Sequence, residues 1–96
     1  MTAYLIANVH EITDQKTYDE YLGLVGPTIA KFGGKPVVAS SNIGIIEGSW
    51  DAVRVLVIEF PDRQAVHDWY ASDDYEAIKD MRRRSQNVDV IVIDNG

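Results

Sequence analysis

Gly48 to Tyr75 reads GSWDAVRVLVIEFPDRQAVHDWYASDDY, and the fold turns on the change of period inside this stretch. From Ala52 to Phe60 nearly every position is apolar, with Val53, Val55, Val57 and Ile58 β-branched, so the segment asks to be buried on both faces of a sheet. Pro61 cannot carry a strand ladder further, Asp62 can cap a helix, and Ala65, Val66, Trp69 and Tyr70 then recur at helical spacing. The expected element is a central strand feeding a packed helix.

Upstream, Ala3 to Val9 sets Leu5, Ala7 and Val9 on one face and Tyr4, Ile6 and Asn8 on the other, a second candidate for a central position. Thr13 or Asp14 can cap a helix whose stripe is Tyr18, Tyr21, Leu22, Val25, Ile29 and Phe32. Pro27 removes the amide bond to Gly23, which predicts a kink or break after Gly26, and Gly33 with Gly34 ends the helix. Lys35 to Ala39 reads as a strand, with Pro36 suited to a sheet edge. After Ser40, Ser41 and Asn42 the extended pattern resumes from Ile43 to Glu47, so the outer arm of this hairpin is expected to be bulged.

Downstream, Ser72, Asp73 and Asp74 form a capping cluster, with Asp73 and Glu76 at capping-box spacing. The helix that follows has Tyr75, Ile78, Met81 and Arg82 on its inner face, Lys79 exposed, and Arg82 to Arg84 where cations complement the helix dipole. Val88 to Ile93 is the last strand.

The order is βαββαβ, and right-handed crossovers put both helical segments on one face of a four-stranded antiparallel sheet. This is an α+β, ferredoxin-like architecture spanning residues 1–96 as one domain, whose usual strand order of 4-1-3-2 makes the first and third strands central. The face without helices is also rich in apolar residues. Tyr4, Ile6, Leu56, Ile58, Ile91 and Ile93 compete with Leu5, Val9, Val55, Val57, Val90 and Val92, and the pattern leaves the choice of inward parity open. A homodimer, sheet facing sheet, removes the patch, with an interface drawn from the first of those sets.

At 96 residues the chain buries only about 60–65% of its unfolded surface, so each apolar face counts. It has no cysteine, which excludes disulfides and thiolate catalysis. A net charge of -6 repels a phosphate backbone, so nucleic acid is not an expected partner. The opening MTAYLIANVH fits neither a signal peptide nor a membrane span, and the expected location is cytoplasmic, with no membrane partner.

The motifs DQKTYDEY (Asp14 to Tyr21), Gly33-Gly34-Lys35, Glu47-Gly48-Ser49-Trp50, Glu59-Phe60-Pro61, Trp69-Tyr70-Ala71-Ser72 with Tyr75, and Arg82 to Arg84 occur in an order and spacing that resemble the domain of unknown function 1330 family across essentially the whole chain. That resemblance implies the dimeric α/β-barrel superfamily, in which two ferredoxin-like subunits pack sheet to sheet and a cavity lies between sheet and helices. Superfamily relatives include quinone-forming monooxygenases, haem-degrading proteins and muconolactone isomerase-like enzymes, and no agreed reaction comes with the family itself. Asp73-Asp74-Tyr75-Glu76 departs from the family's usual Pro-Glu-Tyr-Gln.

His10 ends the first strand with Asn8 two positions before it on the same face, and antiparallel pairing brings Arg54 and Trp50 near that end. These four form a candidate site for a small anionic or aromatic ligand, with His10 as acid or base and Arg54 fixing a carboxylate or enolate. The plainer alternative is a polar loop-edge histidine and a solvated arginine. Glu59, inside the central strand, has a raised pKa if buried and unpaired and then serves as a general base; otherwise it is salt-bridged. Tyr75 and Arg82, two turns apart on one helix face, can share a cavity mouth or tie helix to sheet.

His67, with Asp68 beside it rather than a ligand one turn on, supports no metal site and reads as an exposed helix residue. The glycines match no phosphate-binding loop, and no nucleophile elbow is present. No cofactor and no metal is expected. Two function classes follow: a non-catalytic small-molecule-binding or stress-associated dimer, and a cofactor-free enzyme on a small aromatic or acidic substrate. A purely structural oligomer is the third.

Overall fold

The computed structural model describes residues 1–96 as β1 (Ala3–Ile12), α1 (Gln15–Lys31), β2 (Lys35–Ser40), β3 (Arg54–Phe60), α2 (Arg63–Tyr70), α3 (Asp73–Ser85) and β4 (Gln86–Asp94). The four strands form one sheet in the order β2-β3-β1-β4, every pair antiparallel, so β1 and β3 are the central strands as their patterning requires. The molecule is a two-layer slab of 34 × 33 × 16 Å with all helices on one side.

Each helix starts where a short polar side chain accepts from the first turn. Asp14 accepts from the Thr17 amide at 3.1 Å and the Thr17 hydroxyl at 2.8 Å, and Asp62 accepts from the Ala65 amide at 2.8 Å. For α3 the cap is Ser72, which accepts from the Tyr75 amide, so Asp73 is a first-turn residue and not the capping-box start expected from its spacing to Glu76. α1 runs through Pro27 without a break. The bond Pro27 cannot make is the one to Gly23, and with both Gly23 and Gly26 facing open space the ring is accommodated on the exposed side of the helix. Gly33 ends it at φ +82°, a conformation that suits glycine.

Register decides which residues face the helices. Leu5 pairs with Ile58 and Val92, Ala3 with Phe60, and Val9 with Arg54 and Val88. Since residues directly opposite share a face, Leu56 and Ile58 lie under the helices, and Ile58 belongs to the buried core with Leu5, Val25, Ile29, Phe60, Val66 and Trp69. The interface expected from sequence is therefore corrected: the open face carries Tyr4, Ile6, Ile91 and Ile93, and Val55 and Val57 take the places of Leu56 and Ile58.

Two further expectations change. Ile43 to Glu47 is not an extended arm but part of a loop, residues 41–53, because Ile43 to Ile46 find no partner strand; the bulge lies within β2, between Pro36 and Val38. Lys79 is not exposed: it is buried against α2, its ammonium 4.0 Å from the centre of the Tyr70 ring and 3.0 Å from Glu76. Its aliphatic stem covers aromatic surface while its charge keeps one carboxylate partner.

The far end of β1 is tied down by backbone bonds. Thr13 and Asp14 donate their amides to the Ser85 carbonyl at 2.8 and 3.2 Å, and Val53 donates to Val9 at 2.7 Å. These bonds gather the start of α1, the end of α3 and the entry to β3 at one end of the slab.

Candidate functional site

Between the sheet and α1, α2 and α3 lies a cavity of about 60 Å3, walled almost wholly by apolar and aromatic side chains. Leu5, Ala7, Val9, Leu56 and Ile58 form its floor. Tyr18, Tyr21 and Val25 enter from α1, Trp69 from α2, and Tyr75 and Arg82 from α3. The helical period supplies these contacts: Tyr18, Tyr21 and Val25 recur at three- and four-residue spacing, and Tyr75 and Arg82 stand two turns apart on one face.

The aromatic wall is cross-linked. Tyr21 and Tyr75 share a hydrogen bond between their hydroxyls at 3.0 Å, Trp69 donates its indole N–H to the Thr28 hydroxyl at 3.0 Å, and the Trp69 and Tyr75 rings are 4.2 Å apart between centroids. Burial pushes the Tyr21 phenol far above its ordinary range, and the neighbouring Tyr75 adds to the effect. Burial raises Tyr75 as well, offset in part by the hydrogen bond from Tyr21 and by the Arg82 charge. Tyr18 is raised by burial against the opposing pull of Arg54. All three phenols are therefore protonated at neutral pH and act as donors rather than bases.

At the end gathered by Ser85, the polar atoms change character. The Tyr18 hydroxyl and the Nε atoms of Arg54 and Arg82 are buried without a hydrogen-bond partner in the fold. Arg82 is the only charged residue lining the cavity. A wider outer cleft of about 370 Å3, between α2, α3 and β4, shares Leu5, Trp69, Tyr70, Arg82 and Val90 with the cavity and adds His67 at its rim.

The residues singled out from sequence divide between the two faces. Tyr75 and Arg82 line the cavity, and Arg54 lies beneath α1 beside Tyr18. His10 is not with them, although Arg54 pairs with its neighbour Val9: Arg54 shares the covered face of Val9, whereas His10 reaches Asp89 at 2.8 Å and Asp51 at 3.3 Å at the rim of the open face. Asp89 pairs with Asn8, which places Asn8 on that open face too. Trp50 is an exposed loop residue near Ile43, Ile45 and Val55. Glu59 is on the open face opposite Tyr4 and Lys35, about 20 Å along the strand direction from His10. Arg54 is thus parted from His10 and Asn8, which share the open face as their two-residue spacing predicts, so the expected grouping of the four into one pocket does not form. The parting of Arg54 from His10 is one step of strand parity.

Tyr18, Tyr21 and Trp69 are cavity residues, although the helical period alone assigns them only to the core. The available signal was their chemistry: three tyrosines on inward helix faces bring hydroxyls that a packed core must satisfy.

The sequence from residue 2 to residue 95 matches the model of a family described as Domain of unknown function (DUF1330). The chain belongs to the DUF1330 family. No protein of curated function matches it. Among solved structures it is similar to a dimeric ferredoxin-like protein of unknown function from Jannaschia sp. CCS1, at 11% identity and a TM-score of 0.78, over 99% of this chain and 100% of that one. It is similar to RPA0582 of Rhodopseudomonas palustris, a protein of unknown function, at 20% identity and a TM-score of 0.70, over 99% and 82% of the two chains. SnoaB from Streptomyces nogalater, a cofactor-independent oxygenase, matches at 14% identity and a TM-score of 0.63, over 99% and 91%. These likenesses establish the ferredoxin-like fold of this DUF1330 protein. No helix in it is long and apolar enough to cross a membrane.

Proposed function

We propose that this DUF1330 protein binds a small organic ligand in the cavity between sheet and helices, and that it does so as a two-fold homodimer. The observation that carries the binding reading is the cavity itself, aromatic on its walls and sharing Leu5, Trp69 and Arg82 with the outer cleft. Mostly apolar walls with a few convergent polar groups are the usual composition of a small-molecule site. Removing Trp50 by W50F leaves Trp69 as the only indole, since the chain has two tryptophans. Titrating that variant with small aromatic acids and quinols should give a saturable change in Trp69 fluorescence. A folded W50F protein whose emission stays constant through the whole series contradicts the reading.

The homodimer is supported by the open face, where Ile91 and Ile93 are 51% and 46% exposed alongside Ile6 and Val57. Contiguous apolar surface of this kind is disfavoured on a soluble monomer, and a two-fold axis lets the same patch cover itself. The Jannaschia neighbour is itself described as dimeric. Sedimentation equilibrium at micromolar protein should give twice the chain mass of 10.7 kDa.

A second reading is a cofactor-free enzyme, monooxygenase- or isomerase-like, and SnoaB is the neighbour that favours it. In this chain the cavity wall holds neither carboxylate nor imidazole, because His10 and Glu59 lie on the other face. Proton donation then falls to the Tyr21–Tyr75 pair. Oxygen uptake with hydroquinone substrates, lost in Y21F and Y75F, separates catalysis from binding.

A further inference from the structure

The polar end of the cavity carries more information than its apolar walls. Exposed Arg63 and Arg84 each have a carboxylate within ion-pair distance, Asp94 at 3.2 Å and Asp80 at 2.7 Å. Arg54 and Arg82 are half-buried, and neither has one. Exposed Arg83 has none either, but water solvates its whole guanidinium, whereas Arg54 and Arg82 have water on only part of theirs. Guanidinium groups removed from water are costly to leave uncompensated.

Two donors, Arg82 and Tyr18, line this end of the cavity, and a third, Arg54, stands beside Tyr18. The Tyr18 side chain belongs to a residue only 3% exposed and its hydroxyl has no partner; Arg54 lies next to it, and Arg82 lines the same cavity two turns along α3 from Tyr75. The elements themselves meet at this end through the Thr13 and Asp14 amides on the Ser85 carbonyl. No carboxylate lines the cavity. A wall with one cation and no anion, its other polar groups being neutral tyrosine, tryptophan and Gln86 side chains, selects an anion, and a planar guanidinium fork suits a carboxylate or enolate in particular.

We propose that the ligand of this cavity is a monoanion with an apolar, planar body: its carboxylate or enolate oxygens accept from Arg82 and the Tyr18 hydroxyl, with the Arg54 charge behind Tyr18, and its body lies along Leu5 and Trp69 toward the outer cleft. The inference rests on the ligand-binding reading above and adds the chemical class. The size of the cavity agrees with this division. About 60 Å3 holds only a few water-sized groups, so a ring must run past Arg82 into the cleft that shares Leu5 and Trp69 with it.

The test is isothermal titration calorimetry of the wild-type protein with benzoate, phenylacetate and salicylate and with the three matching primary amides, followed by the acids on R82Q, R54Q and Y18F. The expected result is that at least one acid binds ten or more times tighter than its amide. R82Q should lower that acid's affinity about tenfold while leaving the amide unchanged, and R54Q and Y18F should each lower it less. R82K, which keeps the charge but not the fork, should recover part of the loss. Acid and amide binding equally well in the wild-type protein overturns the anion assignment and leaves the cavity reading standing. If neither binds, and Trp69 emission in W50F is also constant, both readings fall. The wild-type acid and amide comparison needs no variant to fold.

Discussion

The two faces of this sheet are built from the same strands, yet they do opposite things with apolar side chains. Under the helices, Leu5, Ile58 and Phe60 are at most 7% exposed and pack against Val25, Ile29 and Trp69. On the other side, Ile91 and Ile93 stay half exposed, although Val92 between them is packed against the core. The difference lies not in hydrophobicity but in what covers it: three helices on one side, and on the other a surface that only another molecule can cover. Function divides along the same line, with the cavity on the covered face and the proposed self-association on the open one.

The largest effect expected from breaking this contrast is at the covered face. Trp69→Ala removes a side chain in contact with Phe60 and Tyr75 and should cost about 3–5 kcal/mol in urea unfolding. Ile58→Asp, which places a carboxylate in the core, should prevent folding altogether, measured by loss of far-ultraviolet ellipticity. The equivalent charge on the open face, Ile91→Asp or Val57→Asp, should leave the secondary structure intact and halve the mass seen by light scattering.

Gly34 gives a smaller loss. A methyl group there would overlap Ile29 and Phe60, so Gly34→Ala should destabilise by about 1–3 kcal/mol, whereas Gly23→Ala, facing open space in α1, should be neutral or stabilising. Tyr21→Phe leaves the Tyr75 hydroxyl without its partner and should cost about 1–3 kcal/mol.

The smallest effect is at His10, on the open rim. Its hydrogen bond to Asp89 raises its pKa above 6.5, burial opposes this, and the Asp51 charge adds to the rise. The sign follows: the imidazolium pairing is fully present below 6.5 and fades as pH rises through the folded-state pKa. Asp89→Asn should lower the His10 midpoint in an NMR titration, and any difference in melting temperature from wild type should appear in mildly acidic buffer and close in alkaline buffer.

Element order, caps and central strands could be read from the chain because each rests on a local signal: Asp14 and Asp62 before helical periods, Pro61 after a β-branched run, Gly33 at the helix end. Parity could not. Leu56 and Ile58 are no more apolar than Val55 and Val57, and only the pairing of Leu5 with Ile58 assigns them to the helices. The same one-residue step parts Arg54 from His10, which are near along the sheet and on opposite sides of it. Ile43 to Ile46 misled for a related reason: strand-like residues make a strand only when an edge is there to receive them. The tyrosines of the cavity were legible as a buried stripe but not as a site, because their hydroxyls acquire meaning only once Tyr18 is set beside Arg54 and Tyr21 beside Tyr75.

The central claim, that the covered face holds the ligand and the open face holds the partner subunit, is tested most directly by methyl NMR on protein with labelled isoleucine, leucine and valine methyl groups, titrated with phenylacetate. The account predicts saturable shifts at Leu5, Val25 and Leu56 in the cavity, with Ile6, Val57 and Ile93 unmoved at constant dimer mass. Shifts confined to the open-face methyl groups, with the cavity methyl groups silent at saturation, would contradict it.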